Sequence, residues 1–255
     1  PEVKPTLTAL AVALVLPLAG CGGGDDGEDA GSEGAGTELT VLAASSLTDV
    51  FEELATGFEE EHDATVTFSF GSSTDLAEQV ADGAPGDVLA TADETSMGLA
   101  EDAGVTGDVE TFATNVLTIV VPTGNPADIT SLDDLEGATW VRCADEVPCG
   151  KVALALLVAN AVTAEPASLE EDVRATLDKV VSGEADAGLV YATDAVAAGD
   201  DVEAVEIPGA EDALTSYYVT TLEQSESADL AADWVAWVTS EEGRAILQDA
   251  GFGNP

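Results

Sequence analysis

Two short junctions carry residues suited to holding an anion. Residues 43–49 read A-A-S-S-L-T-D, where an apolar run at 39–42 gives way to an amphipathic run at 50–58. That pattern predicts a strand running into a helix, with Ser46 at the N-cap. The first amides of a helix lack intrahelical acceptors, and the helix dipole places partial positive charge there, so such a junction binds an anion without any charged side chain. A second copy follows at 70–76, F-G-S-S-T-D-L, with Ser73 in the matching place. Either serine taken alone is equally well read as a helix cap. Tyr191, at the end of an apolar run at 187–190, adds a hydroxyl that either donates to an oxyanion or packs.

Other chemistries fare worse. The single His62 lies in a polar E-E-E-H-D stretch and reads as a solvated helix end. No H-E-x-x-H, G-x-S-x-G or Gly-Lys-Ser/Thr phosphate loop occurs, so neither a metalloprotease, a serine hydrolase nor a nucleotide-binding loop is supported. Paired carboxylates carry no information in a chain with 51 Asp and Glu against 6 Lys and Arg. The formal charge of −45 makes nucleic acid an unsuitable partner. It also repels a small anion at long range, which contact hydrogen bonds in a closed cleft must overcome. Arg142, Lys151 and Arg174 fall near loops; they form either a local positive patch or ion pairs with neighbours such as Glu170 and Asp178. Cys143 and Cys149 are expected to form a disulfide in an oxidising compartment, free thiols or a metal pair being the alternatives.

The elements that position these residues alternate along the chain. Strands are predicted at 39–43, 64–70 and 87–90, with helices at 47–61, 74–81 and 93–103 between and after them. Short strands alternating with longer helices imply βαβ units and mainly parallel sheets, in which ligands sit beyond the carboxyl ends of strands. Further strands are expected at 116–121, 139–143, 187–191, 202–207 and 216–221. Helices are expected at 151–161, at 169–181 behind a capping-box-like S-L-E-E, at 228–238 and at 241–250. The strands near 116–121 and 216–221 are the candidate crossovers between two lobes, dividing the chain into 38–118 plus 220–255 and 119–219.

Before the first strand, residues 1–21 read as a targeting segment with a short apolar stretch ending in L-A-G-C. It looks like the lipobox of bacterial lipoproteins, which would make Cys21 the lipidated residue. Residues 22–37, rich in Gly, Asp and Glu, read as a flexible acidic tether. A domain hung on that leash is expected at the outer face of the cytoplasmic membrane.

Taken together, the motifs resemble the periplasmic molybdate-binding proteins of ABC importers. The matching stretches are A-A-S-S-L-T-D at 43–49, F-G-S-S-T-D-L at 70–76, G-A-P-G-D-V at 83–88, V-P-C-G at 147–150, E-D-V-R at 171–174 and G-L-V-Y-A-T-D-A-V at 188–196. The resemblance implies an α/β, two-lobed periplasmic-binding-protein fold with two hinge crossovers and no enzymatic activity. It implies that Ser46 and Ser73 give hydroxyls and amides from one lobe, while Cys149 and Val173 give amides and Tyr191 its hydroxyl from the other. Molybdate or tungstate is the implied ligand, with no cofactor, ABC permease subunits as partners, and a monomeric receptor; sulfate or another tetrahedral oxyanion is the alternative cargo, and an oxyanion sensor without a transport role the alternative setting.

Overall fold

The computed structural model describes residues 37–255; the targeting segment, Cys21 and nearly all of the acidic tether lie outside them. Strand β1 (Thr37–Ala44) leads through a single 3-10 turn, Ser45–Leu47, into α1 (Thr48–His62). Then follow β2 (Ala64–Gly71), α2 (Ser73–Ala81), β3 (Val88–Thr91), α3 (Glu94–Ala103) and β4 (Glu110–Asn115). The chain continues with β5 (Leu117–Pro122), β6 (Trp140–Cys143), α4 (Pro148–Ala159), β7 (Ser168–Glu170), α5 (Val173–Val181), β8 (Ala187–Tyr191), α6 (Ala192–Ala198) and β9 (Val202–Glu206). It ends with β10 (Thr215–Thr221), α7 (Ala228–Thr239) and α8 (Glu241–Asp249).

These strands build two five-stranded sheets, ordered β2-β1-β3-β10-β4 and β7-β6-β8-β5-β9. The chain passes from the first to the second at Val116 and returns between β9 and β10. Strand β5 therefore pairs only within the second sheet and β10 only within the first. The expected boundaries at 118/119 and 219/220 fall inside these strands; ladder pairing keeps each strand whole, so the crossings sit just before them. The two-lobed α/β architecture is the one the alternating pattern implied, but the sheets are mixed rather than mainly parallel. β1 runs parallel to β2 and β3, and β6 to β7 and β8. The strands that return from the other lobe, β5 and β10, are antiparallel to both neighbours.

Alternation along β1 packs both faces of the first sheet. Leu39, Val41 and Ala43 join a core with the Val50, Phe51, Leu54 and Phe58 stripe of α1 and with Trp234 of α7. Trp234 meets Phe51 and Phe58 edge-on, at 5.6 and 5.1 Å between ring centroids. Leu42 points the other way, into a smaller cluster with Leu76 and Val80 of α2 and Met97 of α3. In the second lobe, Trp140, Ile119, Val120, Leu189 and Leu177 pack into one core. Burying side chains of this size contributes about 1.5–3 kcal/mol each. That packing holds the strand ends rigidly enough to present short polar loops between the lobes.

Two local departures from the sequence reading bear on the site. Residues 168–170, expected as the start of a helix, instead form β7, because parallel pairing with β6 claims their backbone. Helix α5 starts at Val173, with the Asp172 carboxylate accepting the Ala175 N–H at 2.9 Å. Helix α4 starts at Pro148, three residues earlier than expected, with proline at a position that needs no N–H. Both shifts turn a predicted loop or helix-interior residue into a helix start.

Candidate functional site

Ser46, Ser73, Cys149, Val173 and Tyr191 line one small cavity between the lobes. Each is at most 4% exposed. The cavity encloses about 20 Å³, which suits one compact ion and no larger solute. Ala44, Ser45 and Ser46 come from the β1–α1 junction, and Gly71, Ser72 and Ser73 from the β2–α2 junction. Val147, Pro148 and Cys149 open α4, Asp172 and Val173 open α5, and Tyr191 ends β8. Among the parallel strands, the carboxyl ends of β1, β2 and β8 thus converge here, as the alternating pattern implied.

The amides expected to bind are free by helix geometry. The first bond of α4 runs from Lys151 N–H to the Val147 carbonyl at 3.1 Å, which leaves the Cys149 amide without an intrahelical acceptor. Asp172 takes the Ala175 amide with its carboxylate and the Thr176 amide, at 3.2 Å, with its carbonyl, leaving that of Val173. In α2 the first bond is from Leu76 N–H to the Ser72 carbonyl at 3.0 Å, which leaves that of Ser73.

The hydroxyls are also arranged as donors. Neither Ser46 nor Ser73 caps its helix; each side chain is held from behind. Ser73 Oγ accepts the Ala92 N–H at 2.9 Å, so its own proton is free. Asn115 Nδ2 donates to Tyr217 Oη at 3.3 Å, and Tyr217 Oη lies 2.8 Å from Ser46 Oγ. With Asn115 donating to the Tyr217 oxygen, the arrangement in which the Tyr217 O–H donates to Ser46 satisfies both groups and leaves the Ser46 proton for the cavity. Tyr191 Oη is buried and has no hydrogen-bond partner among the described residues; burial holds its phenol far above the ordinary tyrosine range, so it stays a donor. Asp172 is the one carboxylate on the lining, and its Oδ1 is occupied by the α5 cap.

Sequence reasoning missed several of these groups. Ser72 also lines the cavity with a buried, unpartnered hydroxyl; its neighbourhood to Ser73 was the available signal. Tyr217 is 171 residues from Ser46, and no local spacing reveals such a pairing. The disulfide between Cys143 and Cys149 forms, with Cα atoms 5.8 Å apart. Gly150, next to it, is required: a Cβ there would fall 1.7 Å from the Ala144 carbonyl oxygen. His62 takes no part; it stacks on Phe58 at the far end of α1.

The three cations do not make a positive patch; each is paired, with partners other than Glu170 and Asp178. Arg142 donates to the Cys143 carbonyl at 2.8 Å and to Asp145 at 2.7 Å, bracing the disulfide loop. Lys151 of α4 reaches across the cleft to Asp93 at 2.8 Å. Arg174 of α5 reaches across it to Asp49 of α1. Thr74 Oγ1 adds a third crossing contact, donating to the Glu146 carbonyl at 3.1 Å. Among the described residues no cluster of His, Cys, Asp and Glu is arranged to hold a metal ion.

Two α/β lobes joined by two crossings, with a small donor-lined cavity where they meet, are the anatomy of a solute-trapping receptor. The chain belongs to the bacterial extracellular solute-binding protein family, whose pattern matches residues 39–253, and within it to the periplasmic molybdate-binding proteins of ABC importers. It is a binding protein and not an enzyme. It is 36% identical to the molybdate-binding protein ModA of Mycobacterium tuberculosis H37Rv, over 96% of each chain. It is 31% identical to ModA of Escherichia coli K12, over 84% of this chain and 88% of the other. The periplasmic molybdate-binding protein of Azotobacter vinelandii shares the fold with a TM-score of 0.77, covering 85% of this chain and 99% of that one at 21% identity.

Proposed function

We propose that this protein captures molybdate, or tungstate, between its lobes and delivers it to the permease of an ABC importer, held at the membrane by a lipid on Cys21. The observation that carries the reading is the donor character of the cavity: Ser46, Ser73 and Tyr191 offer hydroxyl protons and Cys149 and Val173 offer amides. A fully deprotonated dianion satisfies such a set. Hydrogen phosphate does not, because its proton would meet a donor where it needs an acceptor. Sulfate is also a dianion, so rejecting it falls to size: its shorter bonds would leave stretched hydrogen bonds in a rigid pocket. Donors drawn from both lobes favour the closed state when the anion is bound, and a permease can recognise that difference.

The test is calorimetry of the soluble domain against molybdate, tungstate, sulfate and phosphate. Tight binding of molybdate and tungstate is expected; binding of sulfate alone would sink the reading. Ser46→Ala and Ser73→Ala should each weaken molybdate binding by about 1.5–3 kcal/mol, the worth of a hydrogen bond to a charged group. For the anchor, Cys21→Ala should release the protein from the membrane fraction, and membrane retention by that variant would overturn it.

A further inference from the structure

Three of the five donor residues are followed at short intervals by charged residues that meet one another. Asp49 lies three residues after Ser46, Arg174 one after Val173, and Asp194 three after Tyr191. Arg174 Nη2 pairs with Asp49 across the cleft, and Arg174 Nε lies 3.0 Å from Asp194 Oδ1 within its own lobe. That second contact is an ion pair rather than an aligned hydrogen bond. Asp194 is wholly buried, and its other oxygen accepts the Tyr191 N–H at 3.2 Å. One guanidinium therefore ties together α1, α5 and the start of α6; Val173 opens α5, while Ser46 lies in the turn just before α1 and Tyr191 ends the strand just before α6. A hollow of about 100 Å³ lies at the seam, lined by Ser46, Asp49 and Glu53 on one side and Arg174 and Thr193 on the other.

We propose that Arg174 is a positioning residue that fastens the two halves of the donor set together when the lobes close, with Asp194 fixing it inside its own lobe and Asp49 as the partner it meets on closing. This rests on the oxyanion-receptor reading above. The asymmetry of the two partners supports the division of roles. Asp194 is fully buried on the same lobe as Arg174, so that pair does not depend on closure. Asp49 is more than half exposed and belongs to the other lobe, so its pairing with Arg174 exists only when the lobes meet. In a chain of net charge −45 an arginine beside an anion site would be expected to attract the ligand directly. Here its Nη2 and Nε groups are each paired with a carboxylate, so it acts on the lobes and not on the anion.

The experiment uses Asp49→Asn, Arg174→Gln, Arg174→Lys and the double variant Asp49→Asn/Arg174→Gln, with molybdate as the probe and tungstate and sulfate in parallel. Each of the two charge-removing single variants should weaken binding about 3–10-fold, through faster dissociation and not slower association. The double variant should be little worse than Arg174→Gln, and Arg174→Lys should recover part of the loss. The melting temperature of ligand-free Asp49→Asn should match the wild type, since the pair is absent when the lobes are apart. In about 1 M inert salt the ratio between wild type and Asp49→Asn should shrink towards one, which a merely structural role would not produce. Wild-type binding with Asp49→Asn within twofold of it, or additive losses in the double variant, would overturn the proposal alone. Failure of the wild type to bind any of the three anions would overturn the receptor reading and this inference with it.

Discussion

Replacing Tyr191 by phenylalanine separates two effects of a single hydroxyl, and their signs differ. The side chain is 1% exposed, it sits against Tyr217 at 6.1 Å between ring centroids, and its oxygen has no partner among the described residues. Phenylalanine fills the same space, so packing is retained. A buried hydroxyl without a partner costs about 1–3 kcal/mol, and that cost opposes closing of the lobes when no anion is present. On the proposed reading the same hydroxyl donates to the bound oxyanion, a hydrogen bond to a charged group worth about 1.5–3 kcal/mol. Tyr191→Phe should therefore raise the molybdate dissociation constant about 10–150-fold. In the ligand-free protein it should shift the population towards the closed shape. Calorimetry reads the first effect; small-angle scattering reads the second, as a ligand-free radius of gyration nearer the liganded value. A dissociation constant within twofold of wild type would show that the hydroxyl is not a donor to the ligand. An unchanged ligand-free radius would show that it does not hold the empty cleft open.

Other consequences of the geometry are testable. Tyr217→Phe leaves Ser46 Oγ without the group that orients it and should weaken molybdate binding by about 0.5–1.5 kcal/mol; a stopped-flow and calorimetric comparison that finds no loss would remove Tyr217 from the site. Ser72→Ala deletes a second buried, unpartnered hydroxyl on the lining, and a loss of affinity comparable to Ser73→Ala would make it a sixth donor, while an unchanged affinity would leave it a lining residue. Because the net charge is −45 and Arg142, Lys151 and Arg174 are all paired, the association rate for molybdate should rise with added inert salt; slowing with salt would reveal a local positive funnel. Burial pushes the Asp194 carboxyl up to about 7, with Asp49 and Asp172 adding to the shift and Arg174 and the Tyr191 N–H opposing it. The folded state therefore keeps a proton that the unfolded chain loses above the ordinary 3.8, so this group's stabilisation is present at low pH and fades as pH rises towards about 7. Relative to Asp194→Asn, wild-type stability should fall across that window by at most about 4 kcal/mol and level off above it; a flat difference between the two melting curves would contradict the assignment.

What could be read from sequence divides along the range of the interactions. The strand-to-helix junctions at Ser46 and Ser73 were legible because hydrophobic period changes from two to 3.6 within a few residues. The alternating elements gave the two-lobed α/β class for the same reason. The start of α5 was misplaced because S-L-E-E at 168–171 is a good helix opening in isolation. Pairing of Ser168–Glu170 with β6 outweighs that local preference, and Asp172 provides a stronger cap four residues later. The antiparallel share of each sheet was hidden because it depends on the direction in which β5 and β10 re-enter, which no local pattern encodes. The cations were legible as candidates but not as partners. Lys151 and Asp93 are 58 positions apart, and Arg174 and Asp49 are 125 apart.

Those long-range pairs resolve the tension posed by composition. A strongly acidic protein that takes up an anion has two ways to use its few cations. Placed on the ligand, they would raise attraction but would need desolvation, and a buried arginine would accept hydrogen phosphate and sulfate as readily as any other oxyanion. Placed across the cleft, they stabilise the closed state without touching the anion, and leave selection to neutral donors of fixed position. The structure takes the second course at two points on the rim, Lys151 with Asp93 and Arg174 with Asp49. On the proposed reading selectivity and closure fall to different groups: changes to Ser46, Ser73 or Tyr191 should alter which oxyanion is preferred. Changes at Asp49 or Asp93 should scale the affinity for all of them by the same factor. Measuring the molybdate-to-sulfate ratio in both sets of variants would decide the point; a ratio that shifts on mutating Asp49 or Asp93 would mean that the ionic contacts shape the pocket as well as close it.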